Sequence, residues 1–149
     1  FLLGDILYHG PRNDLPEGYV PKEVIKMLNE RRDKLLCVRG NCDTEVDQMV
    51  LDFPVMAEYS LLWLENRTVF LTHGHIFNTE NPPAMNRGDI LLHGHTHVQI
   101  IDGSRDYIYM NPGSVSLPKE GNPKTYMTYE NRAFTIRTLD GADLNCYSL

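Results

Sequence analysis

No run of basic residues occurs in the 149-residue chain, and 14 Lys and Arg stand against 20 Asp and Glu, a net charge of -6. Such a balance lacks the electrostatic footprint of a nucleic-acid binder. A phosphate held here needs positive charge from another source. No apolar run approaches the ~20 residues that cross a bilayer, so no membrane partner is expected. Cysteine is scarce as well. Cys37, Cys42 and Cys146 are odd in number and unrelated in spacing, which excludes a disulfide framework and fits a reduced, cytoplasmic protein. Internal repeats and low-complexity segments are absent. What remains is 42% hydrophobic content, enough at this length for one domain, residues 1–149, with a sizeable core. The sequence opens FLLGD rather than on methionine, and its natural start is expected to lie further upstream.

Phe1 to Leu3 resembles the end of a buried strand, and residues 5–20, rich in Gly, Pro and Asp, form a long functional loop. Pro21 suits a first helical turn, and Val24, Met27, Leu28 and Arg31 recur at helical spacing through Asp33. Lys34 to Arg39 has strand length and stops at Gly40. Residues 44–51 make a brief helix capped by Asp43 or Thr44. Three hairpins follow: 58–65 with 68–72 about an Asn66-Arg67 turn, 98–102 with 107–111, and 125–130 with 132–139 about Asn131. Residues 89–93 form a buried strand between the first two. Helices early and hairpins late imply an α/β domain of mixed sheets lying face to face with helices outside.

Four apolar runs each end in a polar cluster: FLL in Gly4-Asp5, KLLCVR in GNCD (40–43), TVFL in THGH (72–75), and DILLH in GHTH (94–97). Ligands gather beyond the carboxyl ends of strands in open α/β sheets, so the clusters are expected to converge. Facing carboxylates and imidazoles away from water would cost free energy without partners, and a divalent cation removes that cost. Oxygen and imidazole donors without thiolate suit Mn²⁺, Fe, Zn²⁺ or Ni²⁺ and are a poor match for a structural zinc site.

The ordered set GD, GNCD, THGH and GHTH resembles the calcineurin-like metallophosphoesterases. The loop YHGPRNDLPEGY and the tail NPGSVSLPKEGNP resemble a bacterial phosphodiesterase branch of that family. The resemblance implies a four-layer α-β-β-α sandwich of two mixed sheets, whose first strand and helix would precede Phe1. It also implies a phosphoric diester hydrolase with two divalent metals, Mn²⁺ foremost, acting on small phosphodiesters by in-line attack of a metal-bridging hydroxide. Carried over by position, Asp5 bridges the metals, Asn41, His73 and His95 complete one shell, and His97 ligates the other metal. The family's D-x-H motif falls ahead of Phe1, so the 149 residues alone would hold one metal firmly and show little activity. Metals ~3.5 to 4 Å apart supply the charge that Lys and Arg do not.

Cys42 stands where many relatives place a histidine acid. With an ordinary thiol pKa of ~8.5 it is a doubtful acid, which favours diesters with good leaving groups, and it reads equally well as a buried structural thiol. Asp43 caps the following helix and orients a ligand, a supporting part in catalysis. Arg12, His75 and His9 are candidates to touch substrate phosphate. His93 is structural, and NPGS (111–114) is a turn beside the site. Homo-oligomers are expected, because hairpin edges stay open to pairing. A second class remains: a non-catalytic protein-interaction scaffold of the same fold, like a retromer subunit, or an inactive fragment.

Overall fold

The computed structural model describes all 149 residues. Residues 5–20 carry neither helix nor strand, as their glycine and proline content predicts. Helix α1 (Pro21–Asn29) opens on proline, where the missing N–H costs nothing. It ends earlier than the pattern through Asp33 predicts. The Asn29 amide instead bonds the backbone at Val50 and Asp52, and a 3-10 turn over Arg32–Lys34 follows. Val24, Ile25 and Leu28 pack against Leu7, Cys37, Leu51, Phe53 and Val55, whereas Met27, expected inside, is half exposed.

Helix α2 (Glu45–Val50) is capped at Thr44. The Thr44 N–H and hydroxyl both donate to the Asp47 carboxylate, at 2.7 and 3.0 Å, the reach-back half of a capping box. Asp43 therefore does not cap this helix, because its carboxylate is engaged elsewhere. Nor does Lys34–Arg39 form a ladder strand. It makes one parallel bridge, Leu2 to Cys37, fixed by Leu2 N–H to Leu36 O at 2.9 Å and Val38 N–H to Leu2 O at 3.0 Å.

The larger sheet contains β1 (Tyr59–Leu64), β2 (Arg67–Thr72), β3 (Ile90–His93), β4 (Ile100–Asp102) and β5 (Ile108–Asn111) in the order β1-β2-β3-β5-β4. It is mixed: β2, β3 and β5 run parallel, and β1 and β4 pair antiparallel at the edges. The β1–β2 turn is Glu65-Asn66, one residue earlier than predicted, with both residues left-handed at φ 50 and 63. Mirror-image turns of this kind match strand twist. The second sheet, β6 (Thr125–Glu130), β7 (Ala133–Thr138) and β8 (Asp143–Ser148), is antiparallel throughout rather than mixed. Strand β8 escapes the sequence pattern because only Tyr147 is partly shielded and the rest is exposed.

Alternation along each strand decides the core. Val69, Leu71, Ile90, Leu92, Ile108 and Met110 point to one face of the larger sheet, where Phe134, Met127, Tyr129 and Tyr147 of the smaller sheet meet them. The two sheets thus lie face to face, as expected. Helical cover is light: α1 packs on the second cluster about Leu7 and Phe53, and α2 has no buried residue, with Leu51 just beyond its end joining that cluster. On the outer face of the larger sheet, Phe77 from the irregular segment after β2 packs on Phe70 at 5.4 Å and Tyr59 at 6.2 Å between ring centres. The parallel order of β2 and β3 carries His73 and His95 to the same end of the sheet.

Candidate metal centre and cleft

The loops that end these strands approach one another at van der Waals limits. A Cβ on Gly4 would strike the Gly40 backbone, and one on Gly40 would strike Asp5, so only glycine lets the two turns touch. Asp5, His95 and His97 sit in left-handed backbone at φ 54, 64 and 63. Non-glycine residues there cost roughly 1–2 kcal/mol each, and such strain persists where surrounding bonds enforce it. Asp43, 1% exposed, enforces the first turn: its carboxylate accepts Asp5 N–H at 2.8 Å, Ile6 N–H at 2.9 Å and Gly40 N–H at 2.7 Å. For the GHTH loop the buried Asn111 amide does the same, donating to Gly94 O at 2.8 Å and Thr96 Oγ1 at 3.0 Å.

Asp5, Asn41, His73 and His95 converge. His73 Nδ1 donates to Leu3 O at 2.6 Å, which turns its Nε2 lone pair inward. That nitrogen lies 3.1 Å from Asn41 Oδ1, 3.4 Å from Asp5 Oδ2 and 3.0 Å from His95 Nδ1. Ligand atoms of Asp5, His73 and His95 all fall within 4.8 Å of one another. Two oxygen acceptors and an imidazole lone pair repel unless a cation lies among them. A divalent metal fits this donor set. His97 stands apart from that cluster. Its Nδ1 donates to Leu117 O at 2.7 Å, leaving Nε2 free beside Asp5 in the same cleft.

Burial pulls the Asp5 carboxyl upward, but the neighbouring His73 ring and the bond from the Cys42 N–H outweigh it and hold the group below its ordinary value. Burial, followed by the nearby His73, pushes His95 down to about 4. His97 and His75 are lowered, also chiefly by burial. Lowered imidazoles stay neutral and keep a lone pair for a metal. Cys42 is raised to about 11 by burial and by the Asp5 charge, so its thiol keeps its proton at neutral pH.

Asp5, Asn41, Cys42, His95 and His97 line a cleft of about 290 Å³, and Arg12 and Lys119 bring cations to it. Of the predicted phosphate contacts, Arg12 reaches this cleft. His75 is not among the lining residues, and its ring lies 5.3 Å from His73 and 6.3 Å from His95. His9 is wedged edge-on between Tyr8 and Tyr19. Asp43 lies beneath the cleft, spent on backbone. His93 is buried and stacked on Tyr109 at 4.7 Å, as its place in the strand predicts. Sequence reasoning missed Lys119, for which a lone lysine in a loop gives no signal. It also undervalued Asn111, although YIYM ending in Asn-Pro-Gly repeats the strand-end pattern of the other four clusters.

Two facing sheets with a carboxylate, an amide and imidazoles gathered at parallel strand ends define a metal-centred phosphoesterase site. The calcineurin-like phosphoesterase superfamily domain matches residues 2–133, and the chain belongs to that family. It is 50% identical over 139 residues, 93% of this chain and 76% of the relative, to phosphodiesterase YfcE of Escherichia coli K12. The solved structure of Yfce, a phosphoesterase from E. coli, is similar with a TM-score of 0.94 at 47% identity, covering 98% of this chain and 81% of that one. Vacuolar protein sorting 29 from Cryptosporidium parvum shares the fold alone, with a TM-score of 0.54 at 18% identity over 99% of this chain and 96% of that one.

Proposed function

We propose that this protein is a metal-dependent phosphodiesterase acting on small phosphodiesters. The observation that carries it is the His73 Nε2 lone pair facing Asn41 Oδ1 and Asp5 Oδ2 within 3.4 Å, an arrangement a divalent ion stabilises. Asp5, Asn41, His73 and His95 would hold one ion, and Asp5 with His97 would contribute to a second, Mn²⁺ being the foremost candidate. Bound there, such ions supply a hydroxide near neutral pH and neutralise phosphoryl charge in an in-line displacement. The residues do the rest. Leu3 O and Leu117 O fix the tautomers of His73 and His97, and Asp43 and Asn111 fix the loops that carry the ligands. Arg12 attracts and holds the substrate's anionic oxygens. A thiol at position 42 is a poor proton donor compared with an imidazolium, which directs the enzyme to diesters whose leaving oxygen needs no proton, such as aryl esters.

Assembly as a homo-oligomer and residence in the cytoplasm go with this proposal. Tyr59, Leu61 and Trp63 are exposed on the edge strand β1, and all three cysteines are free. No helix is long and apolar enough to cross a membrane. The scaffold alternative has only the fold in its favour. Elemental analysis after Mn²⁺ loading, with an aryl phosphodiester assay on the same material, tests the proposal. Bound metal and turnover, both lost in His73→Ala and His95→Ala, are expected. Turnover that survives chelation and both substitutions would overturn it.

A further inference from the structure

Two cations, Arg12 and Lys119, stand against a single carboxylate, Asp5, in the cleft. Apart from Cys42 and Pro11, its walls are glycine, amide, carboxylate, imidazole and the cations Arg12 and Lys119, with no aliphatic or aromatic side chain to hold an apolar ester arm. Neither cation is paired: the ion pairs of the protein involve Arg31, His73, Arg105, Arg132 and Arg137. In a chain of net charge -6, two unpaired cations at one cleft are an anion-binding feature.

The backbone that carries Lys119 is also fixed in place. Its N–H donates to His97 O at 3.2 Å, and its carbonyl accepts Asn122 N–H at 3.1 Å and Asn122 Nδ2 at 2.8 Å. With His97 Nδ1 donating to Leu117 O at 2.7 Å, the 117–122 loop is strapped to His97 at two points. The residue that faces Asp5 across the cleft thereby also delivers the lysine. Arg12 arrives independently, from the 5–20 loop, beside Cys42.

We propose that Lys119, together with Arg12, makes the cleft selective for small phosphodiesters that carry a second anionic group on the arm away from the scissile bond. This rests on the phosphodiesterase reading. Metals held by Asp5, Asn41, His73, His95 and His97 would neutralise the reacting phosphate, and the two side-chain cations are complementary to a further carboxylate or phosphate.

Two esters with one leaving group, 4-nitrophenyl ethyl phosphate and 4-nitrophenyl carboxymethyl phosphate, test this on the Mn²⁺-loaded full chain. The carboxymethyl ester is expected to show a KM about three- to tenfold lower, the scale of one charge pair. Lys119→Met should raise that KM to the value for the ethyl ester, and Lys119→Arg should keep it low. Saturation-transfer NMR of both esters with metal-free protein gives a readout without turnover, and the same preference and its loss in Lys119→Met are expected there. Equal binding of the two esters by the metal-free wild type, or a preference that Lys119→Met leaves intact, overturns the proposal. Preference without turnover by the loaded chain would overturn the phosphodiesterase reading and leave the anion-selective cleft standing.

Discussion

At the scale of single residues, environment decides what each polar group can do. Three thiols of one chemistry differ in accessibility and charge: Cys146 is exposed, Cys42 is raised to about 11 by burial and Asp5, and Cys37 is raised to about 12 by burial. Raising a thiol's pKa keeps it protonated and unreactive, because the thiolate is the nucleophile. Alkylation of the metal-free protein at pH 8 to 9 should therefore label Cys146 first, Cys42 slowly and Cys37 only on unfolding. Peptide mass spectrometry reads the order, and rapid labelling of Cys42 would contradict the assigned environment. Asn111 is the other residue whose part is read from its contacts. Asn111→Ala leaves Gly94 O and Thr96 Oγ1 without their donor, at a cost of about 1–3 kcal/mol. It should also weaken metal binding about 10- to 100-fold, as losses of ligand-orienting partners do, which a Mn²⁺ titration measures. Unchanged affinity would reduce Asn111 to a stabiliser of the turn.

At the scale of elements, the site is a product of strand ends rather than of any helix. The strands β2 and β3 are parallel neighbours in register from Val69–Ile90 to Thr72–His93, so the residues that follow them emerge side by side. Helix α2 lies just past Asn41 and Cys42 yet owes its start to Thr44 and Asp47. Asp47→Ala should cost about 0.3–1.5 kcal/mol and lower the thermal midpoint, with metal stoichiometry unchanged. Loss of metal in that variant would mean that the helix end, and not Asp43, orders the GNCD turn. The sequence pattern found every strand of the larger sheet, because Val, Ile and Leu runs bounded by turn residues are unambiguous. It failed on Lys34–Arg39, an apolar run whose one strand bridge is to Leu2, and on β8, whose exposed residues carry no alternation to read.

At the scale of the whole molecule, the two sheets bury one shared core, and the larger sheet presents an unpaired edge. Strand β1 turns Leu62 and Leu64 inward and leaves Tyr59, Leu61 and Trp63 outside, with Trp63 73% exposed. Apolar stripes on an open edge favour pairing with another strand, which is the physical basis for expecting an oligomer of identical chains. Sedimentation velocity should show a species larger than a monomer. Trp63→Glu should convert it to monomer with little change in thermal stability, because the indole contributes little to the isolated chain's core. A wild-type monomer would remove β1 as an interface.

Which chemistry assembles here was set by the sequence itself. Asp5, Asn41, His73, His95 and His97 each follow an apolar run within a few residues and stand beside glycine or threonine, and strand ends with mixed oxygen and imidazole donors point to a divalent metal before any coordinates are known. Only the tertiary structure decided which donors share one centre. Asp5, Asn41 and His95 surround His73 Nε2, and His97 Nδ1 is held 2.7 Å from Leu117 O in a separate strap. It also decided that Asp43 and Asn111 act through backbone and that Lys119 enters the cleft. Those assignments depend on contacts between residues as many as 70 positions apart along the chain, and local sequence carries periodicity and turn chemistry but not the distances at which loops from different strands meet.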